Sequence, residues 1–397
     1  MSTITVIGGG PAGSTCATLL AQAGHQVTLF EKARFPRYHI GESIAPAARP
    51  ILELTGALPK VEKAGFVVKY GGLLRWGDED FAIEWESVFG KGLSSWQVER
   101  EVFDEVLLDH AAESGVDVRQ QTTVRRVELA GERPVAVEWR AEDGSTGTTA
   151  CDYLVDASGR AGVLARAHGW RRPEHDVFRN VATWGYWDGA ELLPDTPPGG
   201  INAVSCPTGW FWAIPLRDKC SVGFVTHRDH YQEDRGRYGS PEEQLLGYVH
   251  GNEDMRGILR GSTYLGPTRV ETDYSYATER FSGPGHVLVG DAACFLDPLL
   301  STGTHMALYS ALVAAASLCA AADGGVPEEA ALDFFDRHYR QAYQRYLSMV
   351  SLMYQQYRGK ETYFWHAQRL LREDERRRVS RAAFTKLISG MSDLRQA

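Results

Sequence analysis

The sequence predicts an α/β fold in which a dinucleotide-binding unit is interleaved with an antiparallel sheet and followed by helices. Three observations predict it. The chain opens on a β-branched apolar run, Thr3 to Ile7. Gly8-Gly9-Gly10-Pro11-Ala12-Gly13 and an alanine- and leucine-rich stretch follow, the strand–turn–helix order of a nucleotide-binding βαβ unit. From Val177 to Tyr276 the composition shifts to Trp, Tyr, Gly and Pro in short alternating runs, as in an antiparallel sheet. His286-Val287-Leu288-Val289-Gly290-Asp291 then returns to a short apolar strand that delivers a carboxylate at its C-terminal end.

In the opening unit the helix is expected over Ser14 to Gly24, ending on a glycine suited to a C-cap. The second strand is expected over Gln26 to Phe30, with Glu31 at its end. Ile44 to Leu54 and Val98 to Ser114 read as helices. Val116 to Val155 reads as short strands and turns, including Asp143-Gly144, and closes before Asp156-Ala157-Ser158-Gly159-Arg160. His305 to Ala322 is long and apolar, but it carries His305, Tyr309, Ser310 and Ser317 among its alanines. A helix buried in protein is therefore expected, with no membrane association. Glu328 to Ala397 reads as helices, with the Glu375 to Arg381 charge run on a solvated face. The expected division is discontinuous: 1–80, 98–175 and 277–325 form the cofactor-binding part, 81–97 and 176–276 the substrate part, and 326–397 a helical region.

Composition excludes several function classes. With 397 residues, 43% hydrophobic and 23% charged, the chain can bury a sizeable core, which argues against disorder. Its formal net charge of −9 disfavours a nucleic-acid binder, which needs concentrated positive charge. The six cysteines form no CxxC pair, so reduced thiols are expected and neither a disulfide framework nor a metal site. Met1 to Gly8 shows neither a basic n-region nor a cleavage pattern, and a cytoplasmic location is expected. Ten Trp and 41 Gly point to aromatic-lined cavities and close backbone approaches.

Gly8, Gly10 and Gly13 stand in GxGxxG register. In that arrangement the first glycine permits a tight turn, the second lets a pyrophosphate approach the backbone, and the third allows close helix packing. Glu31 lies 23 residues beyond Gly8, placed to accept hydrogen bonds from a ribose diol. Asp156 to Arg160 and Gly290-Asp291 reinforce dinucleotide binding.

These three segments resemble the FAD-binding monooxygenase superfamily with a para-hydroxybenzoate-hydroxylase-like fold, and the resemblance covers nearly the whole chain. It implies FAD, as FADH2, rather than NAD. It implies cofactor contacts from Gly8, Gly10, Pro11, Ala12, Gly13, Glu31, Lys32, Arg37, Ile40, Gly41, Glu42, Ser43, Arg100, Val124, Asp156, Gly290, Asp291, Pro298, Gly303 and Thr304.

Four stretches resemble one branch, the flavin-dependent halogenases. Phe35 to Ser43 is similar to the family's segment alongside the flavin, and Lys69 in Val67-Val68-Lys69-Tyr70-Gly71-Gly72 matches its catalytic lysine. Trp210-Phe211-Trp212-Ala213-Ile214-Pro215 matches the WxWxIP motif, and Asp297 to His305 resembles the flavin and halide loop. The resemblance implies that Lys69 hydrogen-bonds hypohalous acid or forms a haloamine, and that Trp210 and Trp212 screen the flavin from the substrate. It also implies that Ser301, Thr302 and Gly303 hold chloride or bromide, with O2 as co-substrate. On the residues alone, Lys69 also reads as a surface lysine, the tryptophans as core aromatics and Ser301-Thr302 as a helix cap. The family often has Ser-Ser-Gly-Val where this chain has Ser301-Thr302-Gly303-Thr304.

The length and the short C-terminal region resemble the compact halogenases acting on pyrrolyl or phenolic groups tethered to an acyl or peptidyl carrier protein. A separate NAD(P)H-dependent flavin reductase is implied, and a homodimer is compatible with this reading. The rival readings are a flavin hydroxylase or epoxidase, a geranylgeranyl-reductase-like enzyme, and a non-catalytic binding protein. Lys69 and Trp210 to Pro215 favour halogenation over the first two, while a purified protein that is colourless and retains no FAD would support the third.

Overall fold

The computed structural model describes residues 1–77, 79–90, 92–356 and 381–394. A six-stranded sheet is built from Ser282–Gly283, His286–Leu288, Tyr153–Asp156, Thr3–Ile7, Gln26–Phe30 and Asp117–Arg119, in that spatial order. All neighbours are parallel except the first pair. Thr3–Ile7 is central: the chain leaves it toward Gln26–Phe30 on one side and returns as Tyr153–Asp156 on the other. In register, Ile7 lies opposite both Phe30 and Asp156. A crevice therefore opens at the carboxyl end of the first strand, where the strand order reverses.

Both opening strands lie where the sequence places them. The first helix runs Pro11–Gln22, starting three residues before the expected Ser14, because Pro11 occupies its first turn, where no backbone N–H is required. The expected helices from Ile44 and Val98 begin later, at Ala48–Thr55 and Arg100–Glu113. The residues before them are held extended: Ile44 N–H donates to Trp96 O at 3.0 Å and Val98 N–H to Glu42 O at 2.7 Å.

The second layer is a nine-stranded sheet around Glu174–Asp188, Cys220–His227, Gly209–Pro215 and Ile201–Cys206. Side-chain alternation gives it two faces. Trp184, Trp210 and Trp212 join the main core, while Trp187, Phe211, Val222 and Phe224 pack beneath the helices Pro241–Gly251 and Glu253–Ile258. Gly71–Trp76 belongs to this sheet, paired with Ile201–Cys206 and Glu79–Glu84. The boundary expected at residue 80 therefore cuts through a hairpin whose two strands share backbone hydrogen bonds.

Gly303–Ala322 is long and apolar enough to cross a membrane by composition. Here it packs on Pro11–Gln22 and the Glu328–Gln356 helix, and most of its side chains are buried. The C-terminal part continues as Arg381–Ile388 and Met391–Leu394. The charge run expected on a solvated face lies outside the described residues, apart from Arg381 at a helix start.

Candidate active site

The glycine turn fills the crevice floor. Gly8 has φ +106°, and a Cβ there would press into the Ala157 carbonyl; one on Gly13 would press into the Gly8 carbonyl. Neither position accepts a side chain. Gly10 differs, since a Cβ there would meet only Arg37 Nη2, at 3.4 Å. No side chain caps the helix that starts at Pro11, so its first amides face the crevice beside a guanidinium. This cradle fits a pyrophosphate.

Glu31 is buried, and its oxygens accept from Gly9 N–H and Ala33 N–H, both at 2.7 Å. It braces the glycine turn and keeps further lone pairs for a ribose. Lys32 beside it is exposed. Val124 is half-buried on Thr122–Ala130, a strand that begins where Thr122 N–H donates to Glu31 O at 2.8 Å. Asp156 shapes the loop that follows its strand. It is fully buried, and its carboxylate accepts from Ser158 N–H at 2.9 Å and Leu164 N–H at 2.7 Å, so it holds its own loop.

Gly290 lies against the first helix, where its Cβ would stand 3.2 Å from Ala12 Cβ. Asp291, half-buried, has its carboxyl pushed up to about 6 by desolvation, against the opposing pull of Arg160, Arg100 and Arg172. Arg100 is clamped by Asp104, with Nε–Oδ1 at 2.7 Å and Nη2–Oδ2 at 2.9 Å, and donates to Ile40 O at 2.8 Å. Asp104 also pairs with Arg37 at 3.2 Å. This buried carboxylate, which sequence reasoning missed, orients two of the arginines expected at the cofactor. Its only sequence signal is the four-residue spacing from Arg100.

The loop after Asp297 forms a short turn, Pro298–Leu300, then Ser301 at φ +55° and the start of Gly303–Ala322. No side chain caps that helix either, and a Cβ on Gly303 would find nothing within 4 Å. Thr302 and Thr304 are buried, so the open side belongs to Gly303.

Lys69 ends the strand Val67–Lys69 and is 4% exposed, which removes the surface-lysine reading. Its Nζ donates to Ser43 Oγ at 2.7 Å and stands 5.7 Å from the Trp85 ring centroid. Desolvation pulls its amine down to about 7. The strand pairing Lys69 with Ser95 thus brings the lysine to the segment Phe35 to Ser43.

Trp210 and Trp212 lie on one face of Gly209–Pro215, with ring centroids 6.0 Å apart. The strand ends at Pro215, as expected. The Trp212 Nε1–H donates to Ser221 Oγ at 3.1 Å and the Trp210 Nε1–H to the Tyr354 hydroxyl at 3.1 Å. Gly223, opposite Trp212, leaves room for its ring. Both rings are buried.

The crevice, the buried lysine and the paired indoles define a flavin enzyme of the halogenase class, and comparison with known proteins agrees. Residues 3–94 and 82–389 match the family described as "Tryptophan halogenase", and the chain belongs to that family. It is a flavin-dependent halogenase with a para-hydroxybenzoate-hydroxylase-like FAD-binding fold. It is 43% identical over 401 residues to a tryptophan 2-halogenase of Chondromyces crocatus, covering 99% of this chain and 76% of the relative. It is 37% identical over 387 residues to the flavin-dependent halogenase armH4 of Armillaria mellea, covering 90% and 72%. Among solved structures, the myxobacterial chondrochloren halogenase CndH superposes with TM-score 0.87 at 34% identity, covering 99% of this chain and 91% of that one. The flavin-dependent halogenase CmlS superposes with TM-score 0.85 at 32% identity, covering 94% and 68%.

Proposed function

We propose that this halogenase chlorinates or brominates an electron-rich aromatic ring, with Lys69 delivering the halogen. The observation that carries this is the burial of Lys69, which leaves a large fraction of its amine as free base near neutral pH. Reduced FAD with O2 supplies the oxidation of halide to hypohalous acid. Gly8, Gly10 and Gly13 with the Pro11 helix amides would hold the pyrophosphate, Glu31 the adenosine ribose, and Asp291 with Arg100 the ribityl side. Ser301, Thr302 and Gly303 would hold the halide, where Gly303 leaves open space and the helix N-terminus favours negative charge. The Lys69 amine either hydrogen-bonds hypohalous acid or takes its halogen, releasing water, and passes it to the ring. Trp210 and Trp212, with both indole N–H groups satisfied internally, present only apolar ring to their surroundings and keep organic substrate away from the flavin.

In this reading the nucleotide-fold segments hold the flavin and the large sheet forms the substrate side, with Gly71–Trp76 reassigned to the sheet. Reduced flavin comes from a separate NAD(P)H-dependent reductase in the cytoplasm. The substrate is a pyrrolyl or phenolic group tethered to a carrier protein. A second reading, free tryptophan, is favoured by the name of the Chondromyces relative. The test supplies FAD, a flavin reductase, NADH, O2 and halide with free tryptophan and with free and carrier-bound pyrroles and phenols. Product mass and halogen isotope pattern decide. Halide-independent oxygenation would overturn the proposal, and halogenation of free tryptophan alone would replace the carrier-bound substrate.

A further inference from the structure

Glu42, expected from the resemblance only as a cofactor contact, is a buried carboxyl at the end of a hydrogen-bonded chain of phenols. Trp184 Nε1–H donates to the Tyr38 hydroxyl at 2.7 Å, the Tyr38 and Tyr186 hydroxyls are 2.9 Å apart, and the Tyr186 hydroxyl donates to Glu42 Oε1 at 2.8 Å. An indole N–H can only donate, and the Tyr186 proton is committed to Glu42, so Tyr38 must donate to Tyr186. All the donors therefore point one way, from Tyr38, which is 36% exposed, to Glu42, which is 3% exposed.

We propose that Tyr38, Tyr186 and Glu42 form a proton wire that carries protons from the surface to the halogenation site. The proposal rests on the halogenase reading, whose balance creates the need: FADH2 + O2 + X⁻ + ArH + H⁺ → FAD + ArX + 2 H2O. One proton per turnover must come from outside, yet Lys69, Trp210 and Trp212 are buried. Glu42 adjoins Ser43, the hydroxyl that accepts from Lys69 Nζ. In the wire, a proton from water reaches the Tyr38 oxygen as the Tyr38 proton moves to Tyr186 and the Tyr186 proton to Glu42. Rotation of the hydroxyls resets the chain, and no electrons move.

A brace would not call for a carboxylate here. Among the described residues Glu42 forms no ion pair, and burying an unpaired carboxylate is costly. Burial raises the Glu42 pKa, opposed by hydrogen bonds from Ser221 and Tyr186 and by the charges of Lys219 and Arg100. Those groups, with nearby Cys220 and with Arg269 stacked 3.6 Å from the Tyr38 ring centroid, are the titratable and charged surroundings of the wire. Lys219 Nζ lies 4.5 Å from the Tyr186 ring centroid. Desolvation raises both phenols, so they conduct by exchange rather than by ionising.

Two measurements test this on the full chain. In the flavin-free protein, the infrared carboxyl band lost in Glu42→Gln reports Glu42, and its titration midpoint should move upward in Tyr186→Phe, which removes a hydrogen bond to the carboxylate. In turnover, Tyr186→Phe and Tyr38→Phe should slow halogenation about tenfold above neutral pH. The solvent deuterium isotope effect should grow, and added imidazolium should restore the rate while FAD retention is unchanged. Wild-type pH profile and isotope effect in Tyr186→Phe would overturn the wire, as would a rate loss that imidazolium does not restore. If the wild-type protein gives no halogenated product, the halogenase reading fails by itself, while the carboxyl titration, read without flavin, still judges the Glu42–Tyr186 link.

Discussion

The Trp210 indole nitrogen donates to the Tyr354 hydroxyl at 3.1 Å, and that hydroxyl donates to Asp297 Oδ2 at 2.7 Å. One phenol on the Glu328–Gln356 helix thus joins the tryptophan motif to the loop that begins at Asp297. Asn180 Nδ2 donates to the same oxygen at 2.7 Å, and Leu299 N–H donates to Oδ1 at 3.0 Å. Tyr354→Phe removes the shared hydroxyl and leaves the indole N–H without its acceptor, at a cost of about 1–3 kcal/mol. The KM for halide should rise, and more NADH should be consumed per halogenated product as hydrogen peroxide escapes. Chemical denaturation and a halide titration check the two effects separately.

Lys69 sets a pH dependence of both activity and stability. Desolvation lowers its amine from 10.5 to about 7. If the free base is the working form, halogenation should rise with pH through about 7 and level off above it. Stability follows the sign of proton binding. Between about 7 and 10.5 the unfolded chain binds the proton and the folded chain does not, so folding gains stability as pH rises through that window. Below it the burial penalty is fully present. Lys69→Met should therefore abolish halogenation and stabilise the fold, most strongly at pH 6, by on the order of a few kcal/mol. Scanning calorimetry at pH 6 and pH 10 checks the trend, which should shrink at the higher pH.

Gly10 and Gly13 separate a ligand contact from a packing contact. A methyl on Gly13 would collide with the Gly8 carbonyl, so Gly13→Ala should cost about 1–3 kcal/mol or more of stability and also lose FAD. A methyl on Gly10 meets nothing closer than Arg37 at 3.4 Å, so Gly10→Ala should keep the wild-type melting temperature of the flavin-free protein. Its FAD dissociation constant should rise at least about tenfold, equivalent to ~1.4 kcal/mol. Flavin fluorescence titration on both variants tells the two roles apart.

Local chemistry was the legible part of this protein. Thr3–Ile7, Gln26–Phe30, the glycine turn and Gly209–Pro215 could be read from periodicity and turn residues, because their conformation is decided by neighbours a few positions away. Helix starts near Ile44 and Val98 were misplaced because Ser43 bridges Gln97 across the fold, a contact with no local signature. The loop bonds of Asp156 are hidden for the same reason, since a strand-end aspartate can face a crevice or cap its own loop with the same sequence. Tyr186, Tyr354 and Asp393 stayed invisible. They meet Glu42, Asp297 and His305 across 144, 57 and 88 residues, and ordinary aromatic and acidic side chains carry no mark of such partners.

His305 and Asp393 tie the C-terminal segment to the start of the Gly303–Ala322 helix. His305 Nε2 lies 2.8 Å from Asp393 Oδ2 with both side chains fully buried, so Nε2 carries the proton that the carboxylate accepts. The Tyr346 hydroxyl donates to the same oxygen at 2.7 Å, and Arg345 Nη2 pairs with Oδ1 at 2.5 Å. Burial pushes the Asp393 carboxyl up, but the His305 and Tyr346 hydrogen bonds and the charges of His305 and Arg345 outweigh it and hold it below 3.8. Its stabilising contribution is therefore complete above pH 3.8 and is lost as pH falls below that value, through the folded pKa. Asp393→Ala leaves the buried His305 Nε2–H without its acceptor, while the Tyr346 hydroxyl keeps the Leu387 carbonyl at 3.2 Å, and should cost about 3–5 kcal/mol at neutral pH. Because His305 lies two residues beyond Gly303, halide affinity should weaken along with stability. In Asp393→Asn the side-chain oxygen can still accept from His305 while the charge facing Arg345 is gone, so roughly half the stability loss should return. Urea unfolding of both variants at pH 7 and pH 3 checks this, and the difference from wild type should narrow at the lower pH.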